Sequence, residues 1–177
     1  MEFRQTRSGE EAGIMEITDQ AKAYFKARGI DQWQKGYPDL PVICGDRELG
    51  QSYVLVENGR ILAAAALTFG REPAYETLEG GRWLNEEGPY GAVHRIAVEE
   101  SRKGQGLAGR LIRQAEELCR KKGAISLRSD THRENVAMQR LLMKHSFQYC
   151  GIVRLVEGAE AGEKRLAFEK LLTEELS

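Results

Sequence analysis

The sequence has few cysteines and prolines and no long apolar run. Its three cysteines, Cys44, Cys119 and Cys150, are scattered and form neither a CxxC pair nor a cysteine–histidine cluster with zinc spacing. This argues against a disulfide framework or a zinc module, and we expect reduced thiols in or near the core. The longest purely apolar run, residues 61–67, is too short to cross a bilayer.

The sequence also lacks an excess of either charge. It has 26 Lys and Arg residues against 27 Asp and Glu, a net charge of -1 at pH 7, which gives no general attraction to nucleic acid or to an anionic membrane. We interpret the basic cluster at residues 120–122 as complementing a helix C-terminus. The first residues lack the basic and then apolar pattern of a signal peptide. We therefore expect a cytoplasmic protein, with residues 1–177 as one domain and neither nucleic acid nor membrane as a partner.

Hydrophobic periodicity predicts an alternation of strands and helices that is typical of an α/β domain with a mixed sheet. The predicted elements are a strand at 3–7, helices at 10–28 and 41–49, hairpin strands at 53–56 and 61–69, a strand at 92–98, a helix at 106–122, a strand at 124–127, a helix at 135–144 and strands at 147–155 and 165–171. Asn58-Gly59 forms the hairpin turn. Thr131 and Glu134 have the spacing of a capping box. The loop at 70–89 is long enough to suggest a function.

The segment 102–109 predicts a phosphate-binding loop. Its glycines permit tight turns, it opens a helix whose first N–H groups are unpaired, and Arg102 and Lys103 add positive charge. Gly104, Gly106 and Gly109 also spell the dinucleotide fingerprint GxGxxG. That alternative is disfavoured because five residues separate the strand from the loop and the hairpin-rich first half lacks repeated βαβ units. Selective binding of NAD would restore it.

Residues 103–108 resemble the R/Q-x-x-G-x-G/A loop of the GNAT superfamily of N-acetyltransferases, with Lys103 in the first position. The segments 94–98 and 130–147 also resemble that family. The resemblance covers nearly the whole chain in element order and is specific over about residues 92–150. It implies the GNAT fold: a mixed, mostly antiparallel central sheet flanked by helices, with splayed central strands. It also implies acetyl-CoA as the cofactor, held by Ile96, Ala97, Val98, Arg102, Lys103, Gly104, Gln105, Gly106, Leu107, Ala108, Gly109 and Asn135.

The function implied by this resemblance is transfer of the acetyl group of acetyl-CoA to a primary amine by direct attack in a ternary complex. Two residues depart from the family pattern: Leu142 stands where many members have a Tyr that protonates the leaving thiolate, and Ser146 replaces a Gly. The departure at Leu142 supports an alternative, a non-catalytic CoA-binding or regulatory module. CoA release with any amine would distinguish the two.

His94 is the first candidate for the general base, since imidazole titrates near neutral pH and the resemblance places this strand along the cofactor cleft. A packed or solvated histidine is the alternative. Tyr149 is the candidate acid, with Cys150 and Tyr90 as alternatives. Strand alternation predicts that the side chain of Arg95 points to the face opposite His94.

The resemblance implies an acceptor pocket built from the first helices and the loop before the central strand. The aromatic residues that fall there are Trp33, Tyr37, Tyr75 and Trp83. They form either an aromatic wall for an amine or part of the core cover. The acceptor can be a small molecule or a peptide, and a homodimer is allowed because dimers are common in such families.

Overall fold

Seven strands form one mixed sheet in the order β1-β2-β3-β4-β5-β7-β6 in the computed structural model, which describes residues 1–172. The strands are β1 (Glu2–Gln5), β2 (Ser52–Glu57), β3 (Arg60–Phe69), β4 (Tyr90–Val98), β5 (Ser126–Thr131), β6 (Gln148–Arg154) and β7 (Lys164–Leu171). The helices are α1 (Glu11–Ala27), α2 (Leu40–Glu48), α3 (Leu107–Lys121) and α4 (Val136–Lys144). The α/β fold and the order of elements are confirmed. None of the described helices is long and apolar enough to cross a bilayer.

Both faces of the sheet are covered, which explains why β2 and β3 read as continuous apolar runs. Tyr53 and Leu55 of β2 belong to the core cluster that contains Leu111 of α3, whereas the intervening Val54 and Val56 pack in a second cluster with residues of α1 and α2. Successive residues of a strand point to opposite faces, so a strand covered on both sides needs apolar residues at every position.

Two sequence predictions near β5 are wrong. The strand runs over Ser126–Thr131, not 124–127, because its polar residues are buried in ion pairs and hydrogen bonds and so break the expected apolar pattern. Thr131 lies within this strand and does not cap α4. The N-cap is Asn135, whose side-chain oxygen accepts a hydrogen bond of 3.2 Å from the backbone N–H of Met138.

The central strands β4 and β5 separate after a short parallel contact. Their pairing runs from Tyr90 opposite Ser126 to Ala92 opposite Arg128 and stops there. Beyond that point β4 continues along β3 as far as Val98, and β5 continues along β7 as far as Thr131. A wedge therefore opens between the two strands, which confirms the splayed centre of the sheet.

A buried ion pair fixes the 70–89 loop against the sheet. Glu169 of β7 accepts hydrogen bonds from Arg128 Nε at 2.9 Å, Ser126 Oγ at 2.7 Å and the backbone N–H of Leu84 at 2.6 Å. The guanidinium of Arg128 also lies 4.0 Å from the centroid of the Trp83 ring. The loop is therefore attached to β5 and β7 through a carboxylate that is fully removed from solvent.

Replacing Arg128 with Met should lower the free energy of unfolding by about 3–5 kcal/mol, since Glu169 would remain as a buried charge without its cation. Arg154→Met is the matched control. It removes an exposed arginine paired with Glu79 at 3.5 Å, so we expect a loss of at most about 1 kcal/mol. Urea unfolding of the two variants measures the difference, and equal losses would show that the Arg128 pair has no special structural role.

Candidate active site

A cavity of about 530 Å³ occupies the region where β4 and β5 diverge. His94 and Arg95 of β4 and Asp130 of β5 reach it from the sheet, and the segment 71–75 of the long loop covers it. Its aromatic lining consists of Trp33, Tyr37, Phe69 and Tyr75. The cavity thus combines apolar walls with a few convergent polar groups, as small-molecule sites commonly do.

His94 is held by Glu72 from the loop. The Nε2 atom of His94 lies 2.8 Å from Glu72 Oε1. Thr68 donates its hydroxyl proton to the same carboxylate, and the backbone N–H of Glu72 donates to the Tyr90 hydroxyl at 2.9 Å. These contacts leave the Glu72 carboxylate little freedom, so the orientation of the imidazole is well defined.

A second carboxylate lies on the other side of the imidazole. The Nδ1 atom of His94 is 3.8 Å from Asp130 Oδ2. Tyr75 donates its hydroxyl proton to that same oxygen at 2.7 Å. His94 therefore lies between two carboxylates, which favour its protonated form.

The charges around His94 shift its titration upward. Burial lowers the pKa of His94, but the negative charge of Glu72, its hydrogen bond and the charge of Asp130 outweigh burial, so the pKa lies above its ordinary value. Burial conversely raises the pKa of Glu72, and the neighbouring His94 brings it below its ordinary value. The two side chains thus favour each other's charged forms, and His94 becomes able to accept a proton once the pH rises through its raised pKa.

Arg95 lines the same cavity as His94, so the prediction that it points to the opposite face is wrong. Arg95 has a φ of +52°. The register shifts at this point, because Ala64 pairs with Ala97 and Ala66 pairs with His94, which leaves two residues of β4 opposite one of β3. Such a bulge re-aims side chains and interrupts the alternation of a strand.

All three nitrogen atoms of the Arg95 guanidinium donate hydrogen bonds. Its Nε and Nη2 atoms donate to the two oxygens of Asp46 at 2.8 and 2.7 Å. Its Nη1 atom donates to the Tyr37 hydroxyl at 2.6 Å. Arg95 therefore joins β4 to helix α2 and to the loop that precedes it.

The predicted phosphate-binding loop has the backbone geometry of an anion site. Gly104 and Gly106 have φ values of +78° and +80°, and no atom lies within 4 Å of the position that a Cβ would take on either residue. The backbone N–H groups of Leu107, Ala108 and Gly109, at the start of α3, have no acceptor within the described residues. Unpaired N–H groups at a helix N-terminus favour a bound anion.

The two cations beside this loop have intramolecular partners. Arg102 pairs with Glu57 at 2.8 Å, and the ammonium of Lys103 lies 4.1 Å from the centroid of the Tyr24 ring. The anion site at residues 102–109, called the cradle below, is thus formed mainly by backbone N–H groups. The side chains of Arg102 and Lys103 lie beside it. Gln105 and Gly106 lie within the turn itself, and Ile96, Ala97 and Val98 lie on the part of β4 beyond its last pairing with β5.

Three of the four predicted acceptor aromatics line the cavity: Trp33, Tyr37 and Tyr75. The fourth, Trp83, does not. Its ring is buried between Arg128 and Tyr75, and its Nε1–H donates to the backbone oxygen of Tyr75 at 3.0 Å. Trp83 therefore packs behind the loop and does not line this cavity, and its contact with an acceptor stays a prediction.

The structure does not bring Tyr149 or Asn135 to the cavity. Tyr149 is 54% exposed on β6, where its ring makes an edge contact with Phe168. The side chain of Asn135 caps α4 and donates to Gln32 Oε1 at 2.9 Å, so it is buried within the protein. Neither residue therefore lines the cavity that contains His94, and their roles as general acid and cofactor ligand stay predictions.

Glu72 and Asp130 are functional candidates that sequence reasoning missed. Asp130 begins the segment 130–147 that resembles the family, but the resemblance assigns it no role, and Glu72 lies in a loop with no motif. Glu72 reaches His94 only because the loop folds back over the sheet. The one sequence signal for Glu72 was the unusual length of that loop.

None of the three cysteines lines the cavity. Burial raises the pKa of the Cys119 thiol to about 12, and it also raises the pKa of Cys150. Neither thiol is therefore available as a thiolate near neutral pH. An acetyl-cysteine intermediate at this site has no residue to carry it.

Comparison with known proteins identifies the family. The family model described as acetyltransferase (GNAT) family matches residues 15–147. The chain belongs to the GNAT acetyltransferase family. A GNAT acetyltransferase from Streptococcus agalactiae is 32% identical, with 96% of this chain and 94% of that chain covered and a TM-score of 0.83. No curated protein matches the sequence.

Two more distant acetyltransferase structures share the fold. A protein from Salmonella typhimurium, whose structure contains its cofactor acetyl-CoA, is 19% identical, with 100% of this chain and 96% of that chain covered and a TM-score of 0.67. The ribosomal-protein-S18-alanine N-acetyltransferase from Escherichia coli is 15% identical, with 99% and 98% covered and a TM-score of 0.65. Acetyl transfer is therefore the general activity that the family supports.

Removing the negative charge of Glu72 should lower the pKa of His94, because burial would then be opposed mainly by Asp130. In the wild-type protein, NMR titration of the imidazoles should place His94 above 6.5, with His132 and His145 below it because burial lowers their pKa. We expect a larger downward shift in Glu72→Gln than in Asp130→Asn.

The same titration has a consequence for stability. Since the folded-state pKa of His94 is raised, its contribution to the free energy of unfolding is fully present below pH 6.5 and is lost as pH rises through the folded-state value. Glu72→Gln should abolish this loss. An unchanged His94 titration in Glu72→Gln would show that the two side chains are not coupled.

Proposed function

We propose that this GNAT protein transfers the acetyl group of acetyl-CoA to a primary amine of a small molecule or peptide, with His94 as the general base. The observation that carries the proposal is the position of the His94–Glu72 pair in a cavity that opens where β4 and β5 separate. Acetyl-CoA would supply the thioester as acyl donor. This chain would supply the anion cradle, the wedge and the base.

The residues present fit this donor. The glycine turn at Gly104 and Gly106 leaves room for a phosphate against the unpaired N–H groups that open α3. The segment 94–98 of β4 has no β5 partner on the wedge side, so its backbone is available to pair with the amide groups of a pantetheine arm. Ile96, Ala97 and Val98 would make this contact.

The acceptor side fits an amine. A protonated amine is attracted by the carboxylates of Asp130 and Glu72 and by the aromatic faces of Tyr75 and Trp33. His94 takes one proton from the amine nitrogen, which exposes the lone pair for attack on the thioester carbonyl. Glu72 holds the ring and stabilises the imidazolium that results. No thiol lines the cavity, which favours direct attack in a ternary complex.

A non-catalytic CoA-binding module is the alternative, and the buried Leu142 in place of the family tyrosine is the observation that favours it. An enzyme of this kind needs a titratable side chain near the acyl donor, so that protons can be transferred during the reaction. The charged His94–Glu72–Asp130 cluster meets that need, so we favour the enzyme.

Acetyl-CoA at about 100 times its dissociation constant should stabilise the wild-type protein by about 2.7 kcal/mol, visible as a rise of several degrees in Tm. NAD should have no effect. In Gly106→Ala this shift should be lost, because a side chain at φ +80° strains the turn and projects into the open cradle.

Gly59→Ala is the matched control for that variant. Gly59 has a φ of +76°, has open space around its Cβ position and lies in the β2–β3 turn. Both variants should lose about 1–2 kcal/mol of stability from the left-handed conformation. Only Gly106→Ala should lose the response to acetyl-CoA, and an equal response in both variants would contradict the cradle.

His94→Gln should lower kcat/KM by about 10²–10⁴-fold, the usual contribution of a general base. Release of CoA is measured over a panel of kanamycin, spermidine, lysine and a hexapeptide that begins with alanine. In the wild-type enzyme kcat/KM should rise with pH through the raised pKa of His94, and the variant should lose this limb. His132→Gln serves as control, because His132 lies outside the cavity. A melting shift with acetyl-CoA but no CoA release with any amine would favour the non-catalytic module.

A further inference from the structure

Transfer of an acetyl group from a thioester also requires a proton for the departing sulfur, and the proposed function leaves its source unassigned. Leu142, which stands where many relatives have a tyrosine, has no exposed surface and packs in the core with Leu111 and Phe147. No hydroxyl is present at that position. Another acidic side chain on the cavity would have to protonate the sulfur.

Two tyrosines can be set aside because their hydroxyls are already used or poorly placed. Tyr75 donates its proton to Asp130, and burial together with the nearby negative charge of Asp130 raises its pKa well above the ordinary value. Tyr90 does not line the cavity; its hydroxyl accepts from the backbone of Glu72. Neither side chain is a good proton donor to a sulfur in the wedge.

Tyr37 has a different hydrogen-bonding state. Its hydroxyl oxygen accepts a hydrogen bond from Arg95 Nη1 at 2.6 Å, and no residue in 1–172 accepts its own proton. The ring lines the cavity beside His94 and Arg95. A phenol that accepts from a guanidinium has a proton to give and a cation ready to stabilise the tyrosinate that remains.

The position of Arg95 connects Tyr37 to the place where the sulfur would leave. Arg95 lies in the β4 bulge, immediately before the segment 96–98 along which the donor would bind. Asp46 accepts two hydrogen bonds from the guanidinium and so fixes its orientation. In this orientation Nη1 of Arg95 donates its hydrogen bond to the Tyr37 hydroxyl. Burial raises the pKa of Tyr37, and the positive charge of Arg95 opposes that increase.

We infer that Tyr37 is the general acid of the reaction, and that Arg95, held by Asp46, is the positioning residue that stabilises its phenolate. This inference rests on the proposed function. In the step, the bond between amine nitrogen and carbonyl carbon forms and the bond between carbon and sulfur breaks. The electron pair stays on sulfur, which takes the Tyr37 proton to give the CoA thiol. His94 holds the proton taken from the ammonium, and the nitrogen releases to water the extra proton that it carries after attack. His94 then gives its proton to water and the Tyr37 phenolate takes one back, so that one proton is released overall.

Tyr37→Phe tests the inference, with the acceptor that gives the fastest CoA release in the panel. We expect the single-turnover rate of acetyl transfer to fall at least 30-fold, with the melting shift produced by acetyl-CoA unchanged. The alkaline limb of the wild-type pH profile should disappear, and the limb that belongs to His94 should remain. Tyr75→Phe is the matched control, since it removes a hydroxyl from the same cavity and should keep the alkaline limb.

A second variant separates catalysis from support of Arg95. Replacing Tyr37 with 3-fluorotyrosine keeps the ring, the hydroxyl and the Arg95 contact but lowers the phenol pKa. The alkaline limb should then move to lower pH. A rate within threefold of wild type in Tyr37→Phe, a rise in the KM of the amine alone, or an unmoved limb in the fluorotyrosine variant would overturn the assignment. If the wild-type protein does not bind acetyl-CoA, or releases no CoA with any amine of the panel, the proposed function itself is refuted.

Discussion

The early end of the β4–β5 pairing is the constraint on which the site depends. After Ala92 and Arg128 each strand follows its other neighbour, β4 along β3 and β5 along β7. The sheet is therefore continuous on both flanks while its centre is open. Backbone groups that face such a gap need a partner, and a ligand with its own amide groups can provide one.

The buried pair of Arg128 and Glu169 extends this arrangement to the chemistry. It holds the 70–89 loop through Leu84, while the Arg128 guanidinium lies 3.8 Å from the centroid of the Tyr90 ring. The Tyr90 hydroxyl in turn accepts a hydrogen bond from the backbone N–H of Glu72. A buried ion pair adds little net stability compared with apolar packing. In this protein its effect is positional, since it places a loop carboxylate against a sheet histidine.

The fold could be predicted from the sequence because short local patterns determine most of its helices, strands and turns. A few residues are enough to predict the turn at Asn58-Gly59, the amphipathic helix α3 and the glycine turn at its start. The candidate site was predicted only where a motif or a strand carried it. His94 lies in a readable strand, whereas Glu72 reaches it across 22 positions of chain through loop folding. The orientation of the Arg95 side chain could not be predicted from the sequence either. It depends on a bulge, and a bulge is set by the register between two strands, here β3 and β4.

The buried contact between Glu160 and Arg165 has a consequence for how acceptor choice can change. Glu160 accepts from Arg165 at 2.8 Å and from the backbone N–H of Trp33 at 2.7 Å, so the connection between β6 and β7 forms one wall of the cavity. This connection lies beyond residue 147, where the match to the family model ends. Apart from Arg165 of β7, the rest of the cavity lining, including Trp33, Tyr37 and the segment 71–75, lies within the matched residues. A change in the length of the β6–β7 connection would therefore reshape one side of the cavity and leave the glycine turn at residues 104–106 untouched.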